Sequence, residues 1–183
     1  DLGSDGILNA IGIAQSQACG TQQPIVERTL TKRLQAAFAC QAGVQAALLA
    51  RAGITGPRAP FDGPFGIYAL YEPGDQRAIT GDLGTRYYGT QLNLKKYPSC
   101  ACTHAAIDAA LELVAEHRLS VDEIRDISVR ISPYMYRLVG APFEPTNNVQ
   151  VAAQFSIQYA IACAFSRGRF GIEDIEEAAA QDP

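Results

Sequence analysis

The stretch LKKYPSCACTHAAIDAAL (94–111) packs two lysines, a tyrosine, two cysteines and a histidine into its first eleven residues, then turns small and apolar. Upstream, Leu92 and Leu94 alternate with polar residues, which reads as a strand over 87–95. Downstream, Ile107, Ala110, Leu111 and Val114 share one stripe at helical spacing, so an amphipathic helix is expected over about 103–117. Pro98 and Ser99 form the helix entrance, with Thr103 as a second candidate cap. The stretch is therefore a strand-to-helix corner, and such a corner calls for a mixed fold.

The segments on either side extend that reading. Ile127, Val129 and Ile131 alternate over 126–132, a second strand. A helix over about 149–165 carries Ala152, Phe155, Ser156, Tyr159 and Cys163, and the short acidic helix IEDIEEAAA (172–180) follows. Toward the other end the chain is helical. Ile7, Leu8, Ile11 and Ala14 recur at helical spacing with Asp5 as N-cap, and 15–24 is a polar loop. A longer helix runs from Thr31 or Lys32 to about Ala52, ended by Gly53 and Gly56-Pro57. Its face of Ala36, Ala39, Cys40, Gly43, Ala46 and Ala47 is small-sided and is expected to pack closely in a helical layer. GITGPRAPFDGPFG (53–66) reads as a domain connection. The order is an α+β unit attached to part of a helical one.

Composition bounds the function classes. A chain of 183 residues, 48% hydrophobic and 19% charged, is ordinary globular material and long enough for a real core. A net charge of −4 does not favour nucleic acid or an anionic membrane as partner. No apolar run approaches the roughly 20 residues of a membrane span. Five cysteines (Cys19, Cys40, Cys100, Cys102 and Cys163) at irregular spacing are no disulfide framework, and three sit in apolar helical patterns. They read as reduced thiols in a cytosolic or matrix-like compartment.

Three chemistries compete for the opening stretch. Cys100-x-Cys102-x-His104 offers three metal donors on one side of a strand, but in a helix Cys102 turns away, and no fourth ligand lies nearby. No metal is assigned. C-x-C matches the C-x-x-C redox pattern weakly. The acid–base reading has a physical motive: a helix N-terminus attracts anions, and Lys95 adds a full positive charge beside it. Local packing of His104 with solvated lysines is the alternative, and composition leaves the two open. The helix start Thr31-Lys32-Arg33 raises the same question, because basic residues there oppose the helix dipole unless an anion or carboxylate pairs with them.

Several segments together resemble the MmgE/PrpD family, which includes 2-methylcitrate dehydratase, cis-aconitate decarboxylase and iminodisuccinate epimerase. LNAIGIAQSQACGT (8–21) looks like the helix before the family's lysine segment, and ERTLTKRLQAAFACQAGVQAALLARAGITGP (27–57) is similar to its KRLH-type helix. FDGPFGIYAL (61–70) resembles its E-G-x-x-G stretch. LKKYPSCACTHAAIDAAL resembles its K-x-Y-P-S-C-x-x-T-H segment, and AAQFSIQYAIACAF (152–165) its F-S-x-x-Y helix. Gln35 and Ala37 depart from it, where the family often has His and Gly.

The resemblance implies a helical domain over 1–56, an α+β lid domain over 57–170 and the start of a return to the helical domain over 171–183. It implies a cofactor-independent lyase or isomerase of a small polycarboxylate, cytoplasmic and homodimeric, that abstracts a proton next to a carboxylate. Lys95, Lys32, His104 and Cys100 would be its catalytic residues, and Arg33, Lys96 and Ser99 would bind substrate. The family's N-terminal helical half has no counterpart in this sequence, which reads as a fragment of a longer enzyme. The alternative is a catalytically incomplete chain acting as a folding or dimerisation module.

Overall fold

A computed structural model describes residues 1–145 and 148–181. In chain order its α-helices are α1 (Ser4–Gln15), α2 (Gln23–Val26), α3 (Thr31–Arg51), α4 (Ile67–Leu70), α5 (Gln76–Thr80), α6 (Ala101–His117), α7 (Pro133–Val139), α8 (Val149–Gln154), α9 (Ile157–Arg167) and α10 (Glu177–Ala180). Short 3-10 turns lie at Tyr88–Gln91, Val121–Glu123 and Glu173–Ile175. The last two residues of the expected 171–183 return lie outside the described residues.

The expected α+β class is overturned, because the described residues contain helices and no strand. Over 87–95 the chain makes the 3-10 turn and then runs on irregularly, with Leu92 79% and Leu94 98% exposed. Alternation makes a strand only where one face is buried and a neighbour takes the backbone hydrogen bonds, and neither condition holds there. Over 126–132 the alternation does have a consequence. Ile127, Val129 and Ile131 line an apolar cavity of about 270 Å³ together with Tyr136, Ile157 and Ile161. The segment shares a cavity-lining face but leaves Ile127 44% and Val129 40% exposed, and no strand pairs with it among the described residues.

The chain divides into two compact units. The first comprises Asp1–Thr21 and Arg33–Leu92. There α1 meets the turn after α3 through two glycines. A Cβ on Gly12 would stand 2.4 Å from the Pro57 carbonyl oxygen, and one on Gly56 would stand 2.4 Å from that of Asn9. The Asn9 side-chain oxygen accepts a hydrogen bond from the Gly56 N–H at 3.2 Å. Backbone therefore packs directly on backbone. Gly12→Ala is expected to destabilise this unit by about 1–3 kcal/mol, the usual cost of overpacking, read as a lower urea midpoint at unchanged slope.

Gly3 caps α1 in place of the expected Asp5, which sits in the first turn and pairs with Arg58 at 2.9 Å. A carboxylate there complements the helix dipole without capping it. On α3 the small-sided face is only partly used: Ala46 is buried and Ala47 half-buried, while Ala36, Ala39, Cys40 and Gly43 are exposed. The expected close packing is confined to the C-terminal end of the helix.

The second unit comprises Gln22–Lys32 and Asn93–Pro183. Its centre is α6 packed on α9. Ile107 (0% exposed) and Ala110 from α6 meet Ile157, Ala160, Ile161 and Ala164 from α9, with Val139, Val151 and Phe170 around them. The helix expected over 149–165 is broken in two. Asn148 caps α8 by accepting from the Val151 N–H (2.9 Å), and the Ser156 hydroxyl caps α9 by accepting from the Tyr159 N–H (3.1 Å). Such a hydroxyl competes with the helical ladder and starts a new helix, leaving an elbow at Phe155-Ser156. Among the described residues no helix is long and apolar enough to cross a membrane.

Candidate active site

The candidate site is built on the start of α6 in the second unit. Cys100 is the N-cap residue, in place of the expected entrance at Pro98-Ser99. Ser99 is instead buried (3% exposed), its hydroxyl 2.7 Å from that of Thr103. Thr103 donates its one hydroxyl proton to the Cys100 carbonyl (2.9 Å), so Ser99 is the donor in that pair. The elbow between α8 and α9 holds this turn in place. The Cys100 N–H donates to the Gln154 carbonyl (2.9 Å), and the Gln154 side-chain amide donates to the Pro98 carbonyl (3.2 Å).

Three of the four residues expected to be catalytic meet here. The Lys95 ammonium folds back and donates to the Ser99 carbonyl at 2.9 Å. Cys100 is half-buried against the core. His104 lies four residues further on, in the first turns of α6, and its Nε2 is buried without a hydrogen-bond partner among the described residues. The fourth, Lys32, lies against the same elbow, its Nζ 5.1 Å from the centre of the Phe155 ring. Arg33, the next residue of α3, is exposed and belongs to the first unit.

Lys96 is engaged elsewhere: its ammonium donates to Asp108. The Tyr97 hydroxyl donates to the same carboxylate oxygen at 2.6 Å. Tyr97 is 6% exposed, and its ring meets that of His104 edge to face at 5.3 Å. Asp108 thus steers Tyr97, and Tyr97 walls one side of His104. Sequence reasoning passed over both residues, although Asp108 follows His104 at the i,i+4 spacing that puts two side chains on one helix face.

The electrostatics follow from these contacts. The hydrogen bond from Lys96, then that from Tyr97, holds the Asp108 carboxyl below the usual carboxylate range. The same bond to Asp108 raises the Lys96 ammonium, and burial, then Asp108, raises the Tyr97 phenol. A depressed carboxyl stabilises the fold above its unfolded pKa of about 3.9, and that stability is lost as pH falls through the folded value. Asp108→Asn is therefore expected to remove one component of the acid-induced loss of stability below about pH 4. Melting curves of the two proteins from neutral to acid pH check it: they differ near neutrality and converge in acid.

Comparison with known proteins places the chain in a family. Residues 1–80 match the MmgE/PrpD N-terminal domain and residues 97–183 the MmgE/PrpD C-terminal domain. The chain is 28% identical over 188 residues to a cis-aconitate decarboxylase-like protein, oryM, of Aspergillus oryzae, covering 96% of this chain and 39% of that protein. It is 31% identical over 170 residues to the cis-aconitate decarboxylase of Homo sapiens, covering 89% of this chain and 34% of that enzyme. Against the cis-aconitate decarboxylase of Aspergillus terreus the identity is 25% over 174 residues, with 88% and 35% covered. The chain thus spans little more than a third of these relatives' length. With both domain types matched in order along one polypeptide, the chain belongs to the MmgE/PrpD family.

Proposed function

We propose that this chain is part of a cofactor-independent lyase or isomerase of small polycarboxylates, which moves a proton at the carbon next to a carboxylate. The observation that carries the reading is the buried, unpartnered Nε2 of His104, one turn inside a helix start that also holds the Lys95 ammonium. A general base must reach its proton directly, and an imidazole titrates in the range where such transfer is fast. Lys95 and Lys32 would take the substrate's carboxylates and the enolate-like charge that develops as the proton leaves. Cys100 would line the site beside them. The names of the relatives, cis-aconitate decarboxylases, support a tricarboxylate substrate class. A homodimer remains the assembly we propose.

A second reading, a catalytically incomplete module, draws support from α3, where Leu34, Phe38, Val44 and Leu48 are all about half exposed or more. Turnover separates the two. Cis-aconitate, 2-methylcitrate and iminodisuccinate are offered to this chain and to a longer form of the relatives' length. Lys95→Ala is expected to raise KM about 10–100-fold, the worth of one charge-assisted hydrogen bond. Absence of turnover in both forms, together with tricarboxylate binding that Lys95→Ala leaves unchanged, would sink the enzymatic reading.

A further inference from the structure

Cys100 and Cys102 stand at the start of α6, and the proposed reaction has no use for the second of them. Inside a regular helix two such side chains point apart, about 200° around the axis. Here Cys100 is the N-cap, with φ −60° and ψ 134°, so its side chain leaves the helical path while Cys102 lies in the first turn. The helical residue Ala101 between them sets their Cα atoms about 5.4 Å apart by helix geometry, inside the range of about 4.4–6.8 Å that a disulfide spans. Both cysteines are half-buried and rest against the same core.

We propose that Cys100 and Cys102 are a modification site, a dithiol that hydroperoxides oxidise to a disulfide across the first turn of α6. In the first step the Cys100 thiolate attacks the O–O bond of the peroxide. An S–O bond forms, the O–O bond breaks, and the leaving oxygen takes a proton to become water or an alcohol. The Cys102 sulfur then attacks the sulfenic sulfur: the S–S bond forms, the S–O bond breaks, and hydroxide leaves with the Cys102 proton as water. With hydrogen peroxide, two thiols give up two electrons and two protons, and the peroxide becomes two waters. Burial, and then the Cys100 thiol beside it, raises the Cys102 thiol above its usual range, which makes Cys102 the resolving partner. The disulfide ties up the sulfur that stands one turn before His104.

The test treats the folded chain with one equivalent of hydrogen peroxide, blocks the remaining thiols by alkylation and maps the cysteines by mass spectrometry. The expected product is a peptide bridging Cys100 and Cys102, two hydrogens lighter and unalkylated at both, restored by dithiothreitol. In Cys102→Ser the bridge is absent and Cys100 is trapped by a sulfenic-acid reagent. The exposed Cys19 and Cys40 and the buried Cys163 serve as internal references. Full alkylation of Cys100 and Cys102 after peroxide overturns the proposal, as does oxidation confined to the exposed pair. The readout is a mass, so it stands whether or not the chain turns over a polycarboxylate.

Discussion

Asp174→Ala is expected to destabilise the second unit by about 3–5 kcal/mol, the cost of stripping one partner from a buried ion pair. Asp174 is 1% exposed and accepts hydrogen bonds from Arg167 at 3.0 Å and from the Gly171 N–H at 2.7 Å. Arg169 stands 3.8 Å away. The Asp174 carbonyl accepts from the Tyr159 hydroxyl, whose oxygen also lies 3.3 Å from the Ala179 carbonyl. Arg167 reaches that same Ala179 carbonyl at 3.0 Å. Asp174 therefore ties α9 to the 3-10 turn at Glu173–Ile175, and Arg167 and Tyr159 carry the link on to α10. Without it the Arg167 guanidinium, 25% exposed, loses the Asp174 carboxylate beside it, and the Gly171 N–H loses its acceptor. Asp174→Asn keeps an acceptor for Gly171 and should fall between wild type and alanine. Urea melts followed by circular dichroism measure both, and a loss below about 1 kcal/mol for alanine would show that the network adds little beyond a surface pair.

That node was hidden in the sequence for a physical reason. IEDIEEAAA reads as a short acidic helix because four of its nine residues are carboxylates. Only the fold brings Arg167 round to neutralise Asp174 and bury it. The same limit explains the strands. Alternation at 126–132 does report a shared face, since Ile127, Val129 and Ile131 all line one cavity, but alternation cannot say whether a core covers that face or a neighbouring strand exists to pair with it. The long helices were legible because their signals are local: α3 and α6 were both expected within two residues of where they begin. The break inside 149–165 was local too. Ser156 is a good capping residue in the middle of an apolar pattern, and its hydroxyl rather than the pattern decides where α9 begins.

The site divides along the same line. Lys95, Cys100 and His104 fall within ten residues, so a single helix start assembles them and the spacing alone suggested as much. Lys32 reaches the elbow at Phe155 from more than a hundred residues away in sequence, a proximity that no local pattern encodes. The commitment of Lys96 to Asp108 was equally out of sight, because a free lysine and a paired one look alike in sequence.

His104→Leu is expected to lower kcat for the polycarboxylate substrate about 10²–10⁴-fold, the usual worth of a positioned acid or base, without lowering the melting temperature. The two halves of that expectation share one cause. A buried nitrogen without a partner costs about 1–3 kcal/mol in the ligand-free protein, and the Nε2 of His104 is such an atom. Leucine removes that cost and still fills the space against the ring of Tyr97, which meets the imidazole only by its edge. If His104 were a packing residue, the opposite pair of results would follow: stability would drop, and activity would drop only as far as folding did. His104→Gln adds a control, since an amide can hydrogen-bond to a ligand there but cannot carry a proton near neutral pH. Glutamine restoring substrate affinity without restoring kcat assigns the proton transfer to the imidazole. Glutamine restoring both would reduce His104 to a binding contact and return the search for the base to Lys95.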